Sequence, residues 1–137
     1  MDKSGGYSGT PLAKKLGFKP GMDVLLVDAP DNYQSFFQEI PDGVHFSMTP
    51  DPPLQAIHLF TRDQQHLLQQ LPWLRSMLLP HGVIWVSWPK KASGWNSDVT
   101  EDVIRDLALQ HQLVDVKVAS VSAVWSALKL VIPLAYR

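Results

Sequence analysis

The 137-residue chain has the length of a single domain and an almost balanced charge. Apolar residues make up 45% of it and charged residues 18%, a composition that excludes an intrinsically disordered chain. Its 12 Lys and Arg against 13 Asp and Glu give a formal net charge of −1, so no overall field attracts nucleic acid or an anionic membrane. We therefore expect neither of these as a partner.

Cysteine is absent, which removes disulfides, thiolate metal sites and cysteine nucleophiles and suits a reducing compartment. Residues 1–9 are polar and rich in glycine and serine, and we expect a flexible N-terminal segment there, ahead of one domain over residues 10–137. No apolar run has the length of a signal-peptide core or a membrane span. The cytoplasm is the expected location.

The first predicted elements are a short helix and a buried strand. Thr10 and Pro11 are typical of an N-cap and a first helical position, so we expect a helix over Leu12–Leu16 that ends at Gly17. The continuous apolar run Val24–Val27 predicts a strand covered on both faces, as in a parallel sheet. We expect it to be the central strand.

Asp31 is expected to cap a short helix that gathers its apolar residues on one side. Those residues are Tyr33, Phe36, Phe37 and Ile40. Val44–Met48 is predicted to be a second strand and Ala56–Phe60 a third. The three prolines in residues 49–53 predict a loop between them, because proline cannot join a strand ladder.

Thr61 and Gln64 match a capping box, and leucines at helical spacing follow. These are Leu67, Leu68, Leu71, Leu74, Leu78 and Leu79. Pro72 predicts either a kink or two short helices. Pro80–Gly82 is expected to turn the chain into Val83–Val86, a second doubly buried strand.

The last third of the chain predicts a loop, a helix and two strands. The polar loop Pro89–Ser97 precedes the helix, which either Asp98 or Thr100 caps. Val114–Val118 alternates apolar and polar residues, and Trp125–Ile132 follows after a turn so short that the two strands must be antiparallel neighbours.

This order of elements predicts a mostly parallel sheet with an antiparallel hairpin at its C-terminal end. We expect Val24–Val27 and Val83–Val86 to lie side by side and to point the same way. Asp28 and Lys90, which follow these strands, would then emerge at the carboxyl edge, where open α/β sheets bind ligands.

Three stretches resemble the frame of Rossmann-like S-adenosylmethionine-dependent methyltransferases: Leu16–Asp28, Leu78–Trp85 and the final hairpin. The resemblance implies a three-layer Rossmann-like α/β domain. In that superfamily the first strand leads into a glycine-rich turn that lets the backbone approach the cofactor. Here the turn is Asp28-Ala29-Pro30-Asp31, which has no glycine and one proline.

A second set of motifs runs from end to end of the chain and resembles a bacterial group, domain-of-unknown-function family 3052. The motifs are Gly6–Gly17, Trp88–Gly94, Thr100–Val103, Val114–Lys117 and Trp125–Leu128. This resemblance implies a fold and very little about activity.

The loop after the second buried strand has the composition of an anion site. Lys90 and Lys91 supply two cations, Ser93 a hydroxyl and Gly94 a flexible backbone, which together can hold a phosphate or a carboxylate. Solvated surface lysines and a simple turn are the alternative interpretation. Trp95 follows in the same loop, where it can stack on a ring or form part of a protein interface.

Two further candidates are a second basic patch and an acid. Lys14 and Lys15 on the first helix can fold over the same edge as a lid, or else simply face water. Asp28 is a candidate to hold a ribose or to act as a general base, whereas Asp31 is better explained as an N-cap. Trp88 is expected to pack beneath the loop.

Motifs for catalysis or metal binding are absent from the sequence, so catalytic residues stay unknown and no metal site is expected. The leading hypothesis is a non-catalytic or degenerate module that binds an anionic small molecule or a protein partner. One alternative is a methyltransferase with an atypical cofactor loop. Another is a structural module that forms homo-oligomers by pairing the edge of Trp125–Ile132.

Overall fold

A computed structural model describes residues 9–137, so almost all of the segment predicted over residues 1–9 lies outside the described part. Within this range three helices and six strands alternate along the chain. None of these helices is long and apolar enough to cross a bilayer. The elements are α1 (Leu12–Leu16), β1 (Asp23–Val27), β2 (His45–Ser47), β3 (Leu54–Phe60), α2 (Gln64–Ser76), β4 (Leu78–Pro89), α3 (Glu101–Gln110), β5 (Val114–Ser120) and β6 (Trp125–Val131).

The six strands form one sheet in the order β2-β1-β3-β4-β6-β5. Strands β2, β1, β3 and β4 are parallel, and β6 is antiparallel to both of its neighbours, β4 and β5. This is the mostly parallel Rossmann-like sheet with a C-terminal antiparallel hairpin that the sequence predicts.

The neighbour order differs from the expectation in one respect, because β3 lies between β1 and β4. Val24–Val27 and Val83–Val86 are therefore not side by side. Strand β3 fits this central place since all of its residues except Gln55 are buried. Because the three strands are parallel, Asp28 and Lys90 still emerge at the same edge, with one strand between them.

The strand expected to pair with a second copy of the chain is inside the sheet. β6 is flanked by β4 and β5, so Trp125–Ile132 offers no free edge and the prediction of a paired edge there is wrong. The edge strand on this side of the sheet is β5, which carries an irregularity between Asp115 and Lys117 and exposes the side chain of Lys117. Both features oppose edge-to-edge pairing.

Side chains alternate between the two faces of the sheet and build a core on each. Helices α2 and α3 cover one face, and α1 with the segment between β1 and β2 covers the other. The first core includes Ile57, Leu59, Leu67, Leu71, Leu74, Ile84, Val86, Ile104, Leu128 and Leu130. The second includes Leu12, Leu16, Phe18, Val24, Tyr33, Phe37, Phe60, Trp85, Trp125 and Ala127.

Of the two long helices, α2 is capped by a residue other than the expected one, and α3 by one of its two expected candidates. Asp63, not Thr61, caps α2, and its carboxylate accepts a bond from the N–H of Gln65 at 2.8 Å. Asp98 adds a cap from a distant loop by accepting from the N–H of Gln64 at 2.8 Å. Since Asp98 is used there, Thr100 caps α3.

The prolines of the central region interrupt the secondary structure less than predicted. Helix α2 runs through Pro72 as one helix, so the two short helices do not form. Because proline has no N–H, Pro72 leaves the Leu68 carbonyl without its helical hydrogen bond. Both residues are exposed, so water can satisfy this carbonyl. Pro80–Gly82 is not a turn but lies within β4, where it produces an irregularity opposite β3.

The aromatic segment after β1 is a single turn of 3-10 helix over Tyr33–Phe36 rather than a helix capped by Asp31. Asn32 precedes it, and no side chain caps it. Tyr33 and Phe37 are buried and pack edge to face with ring centroids 5.2 Å apart. Burial of these two rings, rather than a cap, fixes the segment against the sheet.

Beneath this segment a histidine is held entirely inside the protein. His58 on β3 is fully buried, with the Tyr33 hydroxyl 2.9 Å from Nδ1 and the Ser87 hydroxyl 2.7 Å from Nε2. Burial lowers the pKa of His58 to about 3 and raises the pKa of Tyr33. Both groups are therefore neutral in the folded protein at neutral pH, and their hydrogen bonds satisfy them.

This burial predicts a specific loss of stability in acid. The unfolded chain protonates His58 near pH 6.5, whereas the folded chain resists protonation down to about pH 3. The free energy of unfolding should therefore fall by up to about 1.4 kcal/mol per pH unit across this interval because of His58 alone. Chemical denaturation at several pH values measures the slope.

The control for this experiment is a second histidine. A His58→Gln variant should have a shallower slope than the wild type, while His81→Gln, which removes an exposed ring, should retain the wild-type slope. Equal slopes for the wild type and His58→Gln between about pH 6 and about pH 4, which lies inside this interval, would contradict a neutral buried His58.

Candidate functional site

The carboxyl edge of the sheet carries two separate polar clusters. The first lies where β1 and β3 end. There the Asp28 carboxylate is 2.6 Å from His66 Nε2, and His66 Nδ1 is 2.8 Å from the Thr61 hydroxyl. This cluster links the turn after β1 to the first turns of α2.

Asp28 adopts a backbone conformation that is unusual for its residue type. Its φ is 56°, in the left-handed region that glycine adopts freely and that aspartate and asparagine tolerate better than most side chains. Asp28 thus provides without glycine the backbone reversal that follows β1. Its side chain is held by His66, and it forms no hydrogen bond or ion pair with any lysine in residues 9–137.

The second cluster forms around Lys90, directly after β4. The Lys90 N–H donates to the Val124 carbonyl at 2.7 Å, and its ammonium donates to the Ser120 hydroxyl at 2.7 Å. Ser120 is the last residue of β5, which runs in the same direction as β4. Desolvation by burial and the nearby positive charge of Lys15 lower the pKa of Lys90.

Helix α1 brings Lys15 to this cluster. The indole N–H of Trp85 donates to the Leu16 carbonyl at 2.9 Å, which fixes the end of α1 against β4. Lys15 is partly buried and close enough to Lys90 to act on its charge. Among residues 9–137 neither lysine has an ion-pair partner, so no carboxylate neutralises either charge.

The neighbouring Lys14 lies elsewhere. It is exposed and lines an open groove of about 520 Å³ together with Phe18, Lys19 and Glu39. This groove is bordered by the segments that lead into β1 and β2, away from the carboxyl ends of those strands. Of the two predicted lysines of α1, the structure therefore brings only Lys15 to Lys90.

The remaining polar residues of the loop mainly shape it. The Ser93 hydroxyl donates to the Lys90 carbonyl at 2.6 Å and accepts from the N–H of Trp95 at 3.2 Å. Gly94 has a φ of 79° and ends the one-turn 3-10 helix Lys91–Ser93. Ser93 and Gly94 thus hold the backbone that carries Lys90, and Lys91 is exposed.

Trp95 is the exposed aromatic residue of this loop. Its ring is 44% exposed and lies edge to face on Trp125, with ring centroids 5.3 Å apart. The Arg62 guanidinium carbon is 5.3 Å from the centroid of the Trp95 ring. Trp88 packs against the core on the α2 and α3 face, which agrees with the packing role expected for it.

Four residues of these clusters were not among the predicted site residues: Thr61, Arg62, His66 and Ser120. His66 reaches Asp28 only because α2 begins beside β1, and Arg62 reaches Trp95 only because β3 and β4 end at the same edge. Ser120 ends β5, and its place beside Lys90 follows from a strand direction that the predicted topology already contains. No group of three or more acids and histidines in the described residues has the geometry to hold a metal ion.

No protein-family model and no curated protein matches this sequence. Solved structures do resemble it. A proposed methyltransferase from Thermoplasma acidophilum has a TM-score of 0.55 and 10% identity, over 83% of this chain and 69% of the other. LepI in complex with SAM has a TM-score of 0.54 and 19% identity, over 88% of this chain and 39% of the other.

A ribosomal protein L11 methylase from Lactobacillus delbrueckii subsp. bulgaricus has a TM-score of 0.52 and 14% identity, over 87% of this chain and 73% of the other. At these identities the similarity shows a methyltransferase-like Rossmann fold and no activity. The chain spans less than half the length of LepI. Membership of domain-of-unknown-function family 3052, inferred from motifs, stays a prediction.

The left-handed backbone of Asp28 predicts how substitutions there affect stability. Asp28→Asn keeps a side chain that tolerates this conformation and can accept a hydrogen bond from His66, so it should change the free energy of unfolding only slightly. Asp28→Ala should be less stable than Asp28→Asn by about 1 kcal/mol, because alanine loses both features. Chemical denaturation at neutral pH measures the difference. Equal stabilities of the two variants would contradict a strained backbone at Asp28.

Proposed function

We propose that this protein binds an anionic small molecule at the carboxyl ends of β4 and β5, through Lys15, Lys90 and Ser120. The observation that supports this most is that neither Lys15 nor Lys90 has a carboxylate partner in the described residues, while Ser120 holds the Lys90 ammonium at the edge of the sheet. The anion would occupy a place that the fold leaves positively charged, at the edge where open α/β sheets bind ligands.

The electrostatics of the lysine pair favour this interpretation over a solvated surface. Two ammonium groups repel each other, and Lys90 in addition loses water by burial, so both effects make its charged form less favourable. An anion between the two lysines replaces the repulsion with two charge-assisted hydrogen bonds, each contributing about 1.5–3 kcal/mol. The Ser120 hydroxyl, already bonded to Lys90, adds a donor for an oxygen of the same ligand.

We propose binding rather than catalysis because the acid and the histidine at this edge, Asp28 and His66, are already engaged with each other. His66 has a hydrogen-bond partner at both ring nitrogens, and Thr61 is 3% exposed. A general base needs a free nitrogen or oxygen within reach of the substrate proton. A protein partner at the same edge remains the other form of the leading hypothesis.

The second candidate function is methyl transfer, and the fold favours it. Two of the similar structures are described as a methylase and as a complex with SAM. The turn after β1 opposes it, since Ala29 and Pro30 follow Asp28 and Pro30 has no N–H to donate. The helix expected after this turn is reduced to a single 3-10 turn, Tyr33–Phe36, and the Tyr33 ring is buried in the core.

Calorimetry separates these two candidates. Titration with S-adenosylmethionine and with S-adenosylhomocysteine should produce no saturable heat at millimolar ligand if the turn cannot hold the cofactor. Saturable binding at a micromolar dissociation constant, about −8 kcal/mol, would instead support the methyltransferase candidate. Asp28→Asn serves as the control for any signal, because a cofactor at this turn should respond to it.

The lysine pair predicts which variants lose anion binding. Lys90→Met and Lys15→Met keep the length of the side chain and remove its charge, so each should weaken binding of inorganic pyrophosphate by about tenfold or more. Lys14→Met is the matched control, since this neighbour lies at the groove and should bind like the wild type. Equilibrium titration followed by calorimetry measures the three affinities.

Binding should also depend on pH in a defined direction. Because the pKa of Lys90 is lowered, pyrophosphate affinity should begin to fall at a pH below that at which an ordinary lysine loses its proton. The Lys90→Met variant should lack this fall. Binding that is equally strong in the wild type, Lys15→Met and Lys90→Met would overturn the proposed site.

A further inference from the structure

We infer that the ligand of this edge carries an aromatic ring as well as its anionic group, as a nucleoside phosphate does, and that Trp95 and Arg62 hold the ring. This inference rests on the proposed anion site and assigns the chemical class of its ligand. It comes from an aromatic and cationic pair that the anion site itself does not use.

The pair and the lysines meet at one short stretch of backbone. The Lys90 N–H is bonded to the Val124 carbonyl, and the next residue, Trp125, supports the ring of Trp95. Pro89, at the end of β4, is the direct partner of Trp125 across the sheet. The backbone of Lys90 and the ring of Trp95 thus contact consecutive residues, 124 and 125, which places both residues at the same end of β4 and β6.

Trp95 is more exposed than a packing role requires. Trp125, which it contacts, also packs edge to face on Phe60, with ring centroids 5.0 Å apart. Trp125 is 6% exposed, while Trp95 leaves 44% of its own surface in water. The exposed ring, with a guanidinium over it, has the composition of a stacking surface rather than of a core.

Arg62 completes a surface that suits a planar ring. Its guanidinium lies over the Trp95 ring and forms no ion pair within residues 9–137, although Asp63 and Asp98 are close along the chain and in space. Indole and guanidinium planes both stack on nucleic-acid bases. A base can therefore stack against this pair, while its phosphate reaches the lysines.

The ligand class follows from combining the two parts. A bare phosphate uses only Lys15, Lys90 and Ser120, and an uncharged aromatic uses only Trp95 and Arg62. A nucleoside monophosphate uses both, and stacking of one base increases affinity by about 10- to 100-fold in other proteins. This geometry is distinct from the turn after β1, since β3 lies between the two places.

The test compares adenosine 5′-monophosphate with ribose 5-phosphate, which has a hydroxyl at C1′ in place of the base. By calorimetry on the whole chain, the nucleotide should bind at least tenfold more tightly. Trp95→Leu should abolish this preference and leave the affinity for ribose 5-phosphate unchanged. Arg62→Gln should reduce the preference in the same direction. Trp73→Leu, which removes another exposed tryptophan, on α2, is the matched control and should behave as the wild type.

The outcomes distinguish the two proposals. If the two ligands bind equally well and Trp95→Leu changes neither, or if the preference persists in both Trp95→Leu and Arg62→Gln, the assignment of the ring is wrong and the anion site stands. If neither ligand binds the wild type, the anion site fails and the ring assignment fails with it. Wild-type melting temperatures for the variants exclude unfolding as the cause of any loss.

Discussion

The burial of β3, in which only Gln55 is exposed, is the constraint on which the rest of the structure depends. A strand with other strands on both sides and cores on both faces must be apolar, and Leu54–Phe60 is, apart from Gln55 and His58. His58 is tolerated because Tyr33 and Ser87 satisfy its two ring nitrogens. The same contact ties the aromatic segment after β1 to the centre of the sheet.

With β3 in the centre, the carboxyl edge divides into two parts. Asp28 and His66 form a cluster on one side of it, and Lys15 and Lys90 form a cluster on the other. In the first, opposite charge or hydrogen bonding satisfies each group. In the second, like charges meet, and this imbalance is the physical basis for assigning a ligand to one cluster and not to the other.

Local patterns predicted the elements well and their neighbours less well. The continuous apolar runs Val24–Val27 and Val83–Val86 mark buried parallel strands, because only such strands lack a polar face. Which strand lies between them depends on a connection that apolar periodicity does not encode. The cap of α2 shows the same limit, since Asp98 reaches Gln64 from a separate loop and thereby leaves Thr100 to cap α3.

The candidate site could be predicted only in part for the same reason. Lys90 was identifiable because it follows a buried parallel strand, a position that is a property of the local sequence. The distinction between Lys14 and Lys15 was not, because it depends on how α1 docks through the hydrogen bond from Trp85 to Leu16. Trp95 was predicted as a residue that can stack on a ring or form part of an interface, whereas its contact with Arg62 required the tertiary structure.

The most direct test of the account is a crystal structure of the protein grown with inorganic pyrophosphate. The account predicts an ordered anion with oxygens within hydrogen-bond distance of Lys15 Nζ, Lys90 Nζ and the Ser120 hydroxyl. Either an ion pair between one of these lysines and a carboxylate of the chain, or an ordered pyrophosphate bound only elsewhere, would contradict it.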